Sequence, residues 1–275
     1  MSPALNIAAL NIAALIALAP ITALALRPAP ARDAVFWGGV ALALAAAAAW
    51  TALRVGAGWD AGLATALWLS VAATVAAFAG VTLLAPGAAR LAIFVGPYLL
   101  LAGVLASVLD RPLDAEAGGG LAAGGVSPDA WIILHVAVSL ATYALATLAA
   151  MAGLAVFVKE RALKSRRSGR LSRDLPSVAE AETLQFRLLL AAEAVLGAGI
   201  LSGMALGWAT VGRVLSFDHK TVLSLAAFVV VGVVLGLHAR FGLRGKQAAR
   251  GVLVVYLLLT LAYPGVKAIQ TLVSG

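Results

Sequence analysis

A chain of 275 residues that is 63% hydrophobic and only 12% charged is too apolar for a soluble globular domain, which keeps about a quarter of its residues charged. Its formal charge of +8 does not mark a nucleic-acid partner, because the Lys and Arg residues sit in short segments between apolar runs. The absence of cysteine excludes disulfides, thiolate metal sites, thiol relays and the C-x-x-C-H motif that anchors haem covalently.

Eight apolar runs follow one another, near 4–26, 34–55, 61–84, 89–109, 129–158, 188–211, 220–239 and 251–272. Each is close to the roughly 20 residues that a helix needs to cross a hydrocarbon core of about 30 Å. Lipid offers no water to an open backbone, so helices are the economical reading. The expected fold is all-α: a polytopic membrane bundle of about eight transmembrane helices. The first run has no basic residue before it and reads as the first helix rather than a cleavable signal peptide. Its tandem NIAAL is helix filler, and Pro20 and Pro97 kink helices without unfolding them.

Sorting the basic residues by alternate loops gives fifteen on one side and five on the other. The fifteen are Arg27, Arg32, Arg90, eight from Lys159 to Arg187, and Arg240, Arg244, Lys246 and Arg250. The five are Arg54, Arg111, Arg213, Lys220 and Lys267. Basic loops stay in the cytoplasm, so both termini are expected outside, in a multi-pass protein of the plasma (inner) membrane. The expected domains are four helices in 1–109, a flexible acidic and glycine-rich outer loop at 110–127, and a second half at 128–275. Within that half, the basic segment 159–187 is the longest cytoplasmic one. Its second part has an N-cap at Ser177 followed by acids, which predicts a short interfacial helix running into the sixth apolar run. The bland reading of this loop is a stop-transfer segment, and its charge also suits anionic lipid.

The three histidines differ in depth. His135 sits early in the fifth run and His219 opens the seventh, both toward the outer side, whereas His238 closes the seventh at the cytoplasmic face. The 19 residues from His219 to His238 span about 28 Å of helix, so these two cannot share an iron. His135 and His219 can. A single histidine near an interface is more often a helix-end residue bonded to water or backbone, but intramembrane polar groups are costly and tend to mark function. Trp50, Trp59, Trp131, Trp208 and Phe217 are expected toward the outer face, with Trp37 inner and Trp68 deeper. They are either an ordinary interfacial belt or a flat wall for a macrocycle. Lys220, Arg213, Arg54 and Arg111 are either snorkelling cations or partners for carboxylates. Glu193 is the clearest buried acid, expected to be structural, either reaching the cytoplasmic interface or pairing with a base such as Arg187 or Arg90.

The second half carries a resemblance. WIILHVAVSLATYALATLAAMAGLAVFVKERALK, RDLPSVAEAETLQFRLL, SGMALGW, DHKTVLSLAAF, LHARFGLRG and LTLAYPGV, in that order over residues 128 to about 270, resemble the cytochrome c assembly membrane protein family. The YpjD/HemX-like branch, related to CcsA and CcmC, is the nearest in look. The resemblance implies a haem-binding bundle that presents haem on the outer side. His135 then fits the outer histidine of the W-x-x-x-H helix, His219 the H-K-x-V-L-S element, and His238 the histidine before Arg240, Gly242, Arg244 and Gly245. The tryptophan-rich W-G-x-x-W-x-W-D platform of CcsA and CcmC is replaced here by GWATVGRVLSFDHK, which keeps only Trp208, Phe217 and Asp218.

The leading expectation is therefore non-covalent b-type haem, with His135 and His219 as metal ligands. His238, Trp131, Trp208, Phe217 and Lys220 complete the cofactor residues. Partners would be membrane lipid, haem, and another cytochrome c assembly protein or apocytochrome c. A HemX-like regulator of tetrapyrrole synthesis working through the cytoplasmic loops is the alternative, and a small-solute transporter a third reading that the scarcity of intramembrane carboxylates disfavours. No nucleophile with a paired base and no carboxylate cluster is visible, so haem handling rather than turnover is expected, with no catalytic residue.

Overall fold

A computed structural model describes residues 3–27, 32–56, 62–110, 130–166, 169–212, 219–242 and 245–260. The expected outer loop after Asp110, the C-terminal part of the eighth apolar run, Trp59, Phe217, Asp218, Arg111 and Arg213 lie outside the described residues, as do the side chains of His219 and Lys220. Among the described residues the chain is helical throughout, and seven helices are long and apolar enough to cross a membrane. An eighth, shorter apolar helix follows them. This is a multi-pass helical membrane protein. Large apolar side chains on the helix surfaces, such as Leu84, Leu101, Val229 and Leu257, are exposed, as lipid permits and water does not.

The chain divides into two compact units, Met1–Asp129 and Ala130–Gly275. In the first, α1 (Pro3–Ala23), α2 (Ala34–Gly56), α3 (Leu63–Leu84) and α4 (Ala92–Val108) form a ring in which α1 packs on α2 and α4, and α3 closes the other side. Pro20 lies inside α1, and the next turns are approached closely by both neighbours. Gly39 of α2 faces Pro20 and Ile21, and Gly96 of α4 lies against Ile21 and Thr22. The Thr22 hydroxyl lies 2.9 Å from Leu18 O and 3.1 Å from Gly96 O, so it reaches from the turn after Pro20 to the backbone of α4. Small residues are what allow helix backbones to meet in lipid. Between α1 and α2, Asp33 accepts two bonds from Arg27, at 3.0 and 2.6 Å, and one from Phe36 N at 2.9 Å. The guanidinium and this N-terminal amide hold the Asp33 carboxyl well below the usual carboxylate range.

The second unit contains α5 (Ala130–Lys164), the one-turn α6 (Arg170–Asp174), α7 (Val178–Val211), α8 (His219–Phe241) and α9 (Gly245–Thr260). The four long helices again form a ring, α5 to α7 to α8 to α9 and back to α5. At 35 and 34 residues, α5 and α7 run about 50 Å, well beyond a hydrocarbon core of about 30 Å. The interfacial helix expected after Ser177 is thus the first part of one continuous α7. Ser177 Oγ accepts from Glu180 N while the Glu180 carboxylate accepts from Ser177 N, a complete capping box. The basic segment is folded: Lys159 donates to the carbonyl oxygens of Ser172 and Leu175 and ties the short α6 to α5. α7 ends at Gly212, whose φ of 67° only glycine adopts without strain.

A Cβ on Gly96 would lie 2.7 Å from Ile21 O and Thr22 Cα, both backbone atoms that cannot rotate away. Gly96→Ala should therefore lower the thermal unfolding temperature in detergent, at a cost of about 1–3 kcal/mol. Gly80→Ala, where a Cβ meets nothing within 4 Å, should leave it unchanged or raise it.

Candidate functional site

The site grows from the contact between α5 and α7. Gly203 of α7 faces His135: a Cβ there would stand 3.2 Å from the imidazole Cε1 and 3.9 Å from each ring nitrogen. One turn on, Gly199 faces Val138, and far along the same interface Gly153 faces Gln185. As one residue number rises its partner falls by nearly the same step, the mark of an antiparallel pair. Three of these positions are glycines, which lets the two long helices lie close and brings the ring of His135 against the α7 backbone.

Polar bonds lock that position. His135 Nδ1 lies 2.9 Å from Ser202 Oγ, and Ser202 Oγ donates to Gly199 O at 2.9 Å. Trp131, one turn before His135 on α5, donates its indole N–H to Ser202 O at 3.3 Å. Ser139 Oγ donates to His135 O at 2.9 Å, inside the same helix. Trp131, His135 and Ser202 thus form one group, with Trp131 at its exposed edge.

The α7–α8 register places His219. Phe186 stacks on His238 with ring centroids 3.4 Å apart, Glu193 Oε1 is 3.3 Å from a Cβ position on Gly232, and Phe228 is 3.2 Å from one on Gly197. Carried nine residues back from Phe228 toward the start of α8, this register projects the His219 backbone to the level of Leu206 of α7. His135 lies opposite Gly203, so the projected level of the His219 backbone is about 5 Å from that of His135, on helices that both pack on α7. His238 is at the other end, level with Phe186 and about 26 Å from the level of His135. Trp208 is 64% exposed on the last turns of α7 and does not join the Trp131 group.

Other expected roles fall differently. Glu193 does not pair with Arg187: its Oε2 is buried without a hydrogen-bond partner. The two side chains are six residues apart on one helix and leave it on different faces. Trp50 is no rim aromatic. It is buried, stacked on Trp68 with centroids 5.1 Å apart, and donates to Asn11 Oδ1 at 2.7 Å. Asn11 donates in turn to Asp110 Oδ2 at 2.7 Å, and Arg54 donates to Asp110 Oδ1 at 2.8 Å. Arg54 also lies over the Trp50 ring at 5.5 Å. With side-chain exposures of 7% and 2%, Arg54 and Asp110 form a buried ion pair within the first unit, and Arg54 is not a free cation for a ligand's carboxylates. Four residues spread over a hundred positions compose this network, so no local motif announced it. Ser202 was equally hidden, as one hydroxyl in an apolar run.

A porphyrin brings its own equatorial nitrogens and asks the protein for axial ligands only, which two histidines at nearly one level on a helical bundle can provide. A model of the family described as "Cytochrome C assembly protein" matches residues 40–273. The chain belongs to that family. The match reaches back through α3 and α4 into α2, farther than the resemblance of the second half alone, and membership supports a role in cytochrome c maturation. The chain is also 49% identical over 245 residues to an uncharacterized 28.8 kDa protein in a nifR3-like 5′ region of Azospirillum brasilense, covering 89% of this chain and 88% of that one. No solved structure matches this chain.

Removing the Asp110 carboxylate leaves a buried guanidinium without its counter-ion, a change that costs about 3–5 kcal/mol for buried pairs. Asp110→Ala should lower the unfolding temperature of the detergent-purified protein sharply. Arg166→Ala, at an exposed position, should not change it.

Proposed function

We propose that this family member binds b-type haem without covalent attachment, with His135 and His219 as axial ligands, and holds or transfers it near the outer face of the plasma (inner) membrane. The observation that carries this reading is the placement of His135. It lies inside the bundle against Gly203, about 5 Å in level from the start of α8, where His219 stands. Trp131 offers an aromatic face beside His135, and Trp208, Phe217 and Lys220 belong to the same end of the chain's second unit by sequence. Lys220 is suited to a haem carboxylate. The haem supplies the redox-active iron, and the protein supplies ligands, an apolar wall and a position accessible from one side of the membrane. The basic loops set the orientation, with both termini and both ligands outside. The recipient would be another cytochrome c assembly protein or apocytochrome c. His238, at the opposite end on Phe186, takes no part in this site and suits an inner relay or anchor.

A regulatory reading has one observation in its favour. The inner ends of α5 and α7 form a folded projection with α6, bearing exposed Arg161, Lys164, Arg166, Arg170 and Arg173. A soluble partner in tetrapyrrole synthesis would meet that surface.

The absorption spectrum of the detergent-purified protein, oxidised and reduced, tests the main reading. His135→Ala and His219→Ala should each abolish most of the Soret absorbance per folded protein, and wild-type haem content in both would refute the assignment. Both ligands must be unprotonated, so haem binding should weaken as the pH falls through the histidine range, at about 6.5, and be strongest above it.

A further inference from the structure

Ser202 makes two contacts with one hydrogen. Its hydroxyl donates to Gly199 O at 2.9 Å, and the same oxygen lies 2.9 Å from His135 Nδ1. A serine hydroxyl has a single proton and two lone pairs. With the proton directed at the Gly199 carbonyl, Oγ meets the imidazole as an acceptor, and the bond requires a proton on Nδ1. We infer that Ser202 is a positioning residue that holds neutral His135 as its Nδ1–H tautomer, leaving the Nε2 lone pair available to a metal or other electrophilic ligand.

Other contacts point the same way. Trp131 donates to Ser202 O, so both the main chain and the side chain of Ser202 are tied to α5. Gly203 bears no side chain where one would press on Cε1, the ring carbon between the two nitrogens, at 3.2 Å. The ring plane and the proton position are therefore fixed together, by Gly203 and Ser202 in turn. A metal-bound imidazole that donates its second N–H to an acceptor is a stronger and better oriented ligand, and loss of that acceptor weakens metal binding roughly 10- to 100-fold. The tautomer rests on geometry alone, and its consequence for haem rests on the function proposed above.

The test uses the full-length protein in detergent, first without haem. Nitrogen NMR of isotope-labelled histidine, with the His135 signals assigned by His135→Gln, reports which nitrogen carries the proton at a pH where the ring is neutral. Wild type should show Nδ1–H, Ser202→Ala should lose that preference, and Ser202→Thr, which keeps a hydroxyl, should regain it. An Nε2–H tautomer in wild type, or an unchanged Nδ1–H tautomer in Ser202→Ala, would overturn the inference. Added haem then gives the second readout. Ser202→Ala should bind it at least about tenfold more weakly and with a higher midpoint potential, both restored by Ser202→Thr. Equal affinity and potential in wild type and Ser202→Ala would count against Ser202 as a positioning residue. A wild type with the Nδ1–H tautomer that takes up no haem would refute the haem reading and uphold the tautomer.

Discussion

Lipid removes the hydrophobic incentive for one helix to lie against another, so these bundles depend on places where backbones come close enough for dispersion contacts and hydrogen bonds to accumulate. Glycine supplies those places. Gly96 receives the kinked turn of α1, and Gly153, Gly199 and Gly203 line the interface of α5 and α7. On the other side of α7, Gly197 receives Phe228, and Gly232 of α8 leaves room for Glu193. The seam between α5 and α7 fixes the level and the face of His135.

Polar groups occupy the same seams and answer to a different constraint. A buried hydroxyl or carboxylate without a partner is costly in hydrocarbon, so most of those here are bonded. Serine and threonine hydroxyls repeatedly donate to the carbonyl oxygen one turn earlier, as Ser70, Thr74, Thr82 and Thr147 do. Where a side chain instead reaches another helix, it specifies an arrangement. Asn11, Trp50, Arg54 and Asp110 join three helices of the first unit, and His135 with Ser202 joins two of the second. Glu193 Oε2 and both amide atoms of the fully buried Gln185 stand outside this pattern, buried and without hydrogen-bond partners.

The long helices α5 and α7 also change the meaning of the basic segment. Read as sequence, the charges from Lys159 to Arg187 describe a loop that orients the protein. In the structure much of that stretch is helix, packed through Leu175, Ala181 and Leu184 and closed by the bond of Lys159 to the end of α6. The Glu182 carboxylate accepts from Gly245 N, linking this projection to the start of α9. A charge run that sequence alone reads as a topological signal is thus also part of a folded element, because helix formation and electrostatic sorting can act on the same residues without conflict.

Much was legible in one dimension. Apolar runs of membrane length, the cap at Ser177 and the wide separation of His135 and His238 along the bundle all follow from residue order, because a helix converts sequence separation directly into height. What order does not contain is the direction each helix faces. In a soluble protein an apolar stripe marks the inner face, but here lipid and bundle interior are equally apolar, and most of these helices are greasy all round. Trp50 on Trp68, Arg54 on Asp110 and Ser202 on His135 were therefore decided only when the helices packed, by the positions of glycines and the few hydrogen bonds that hydrocarbon makes worth forming.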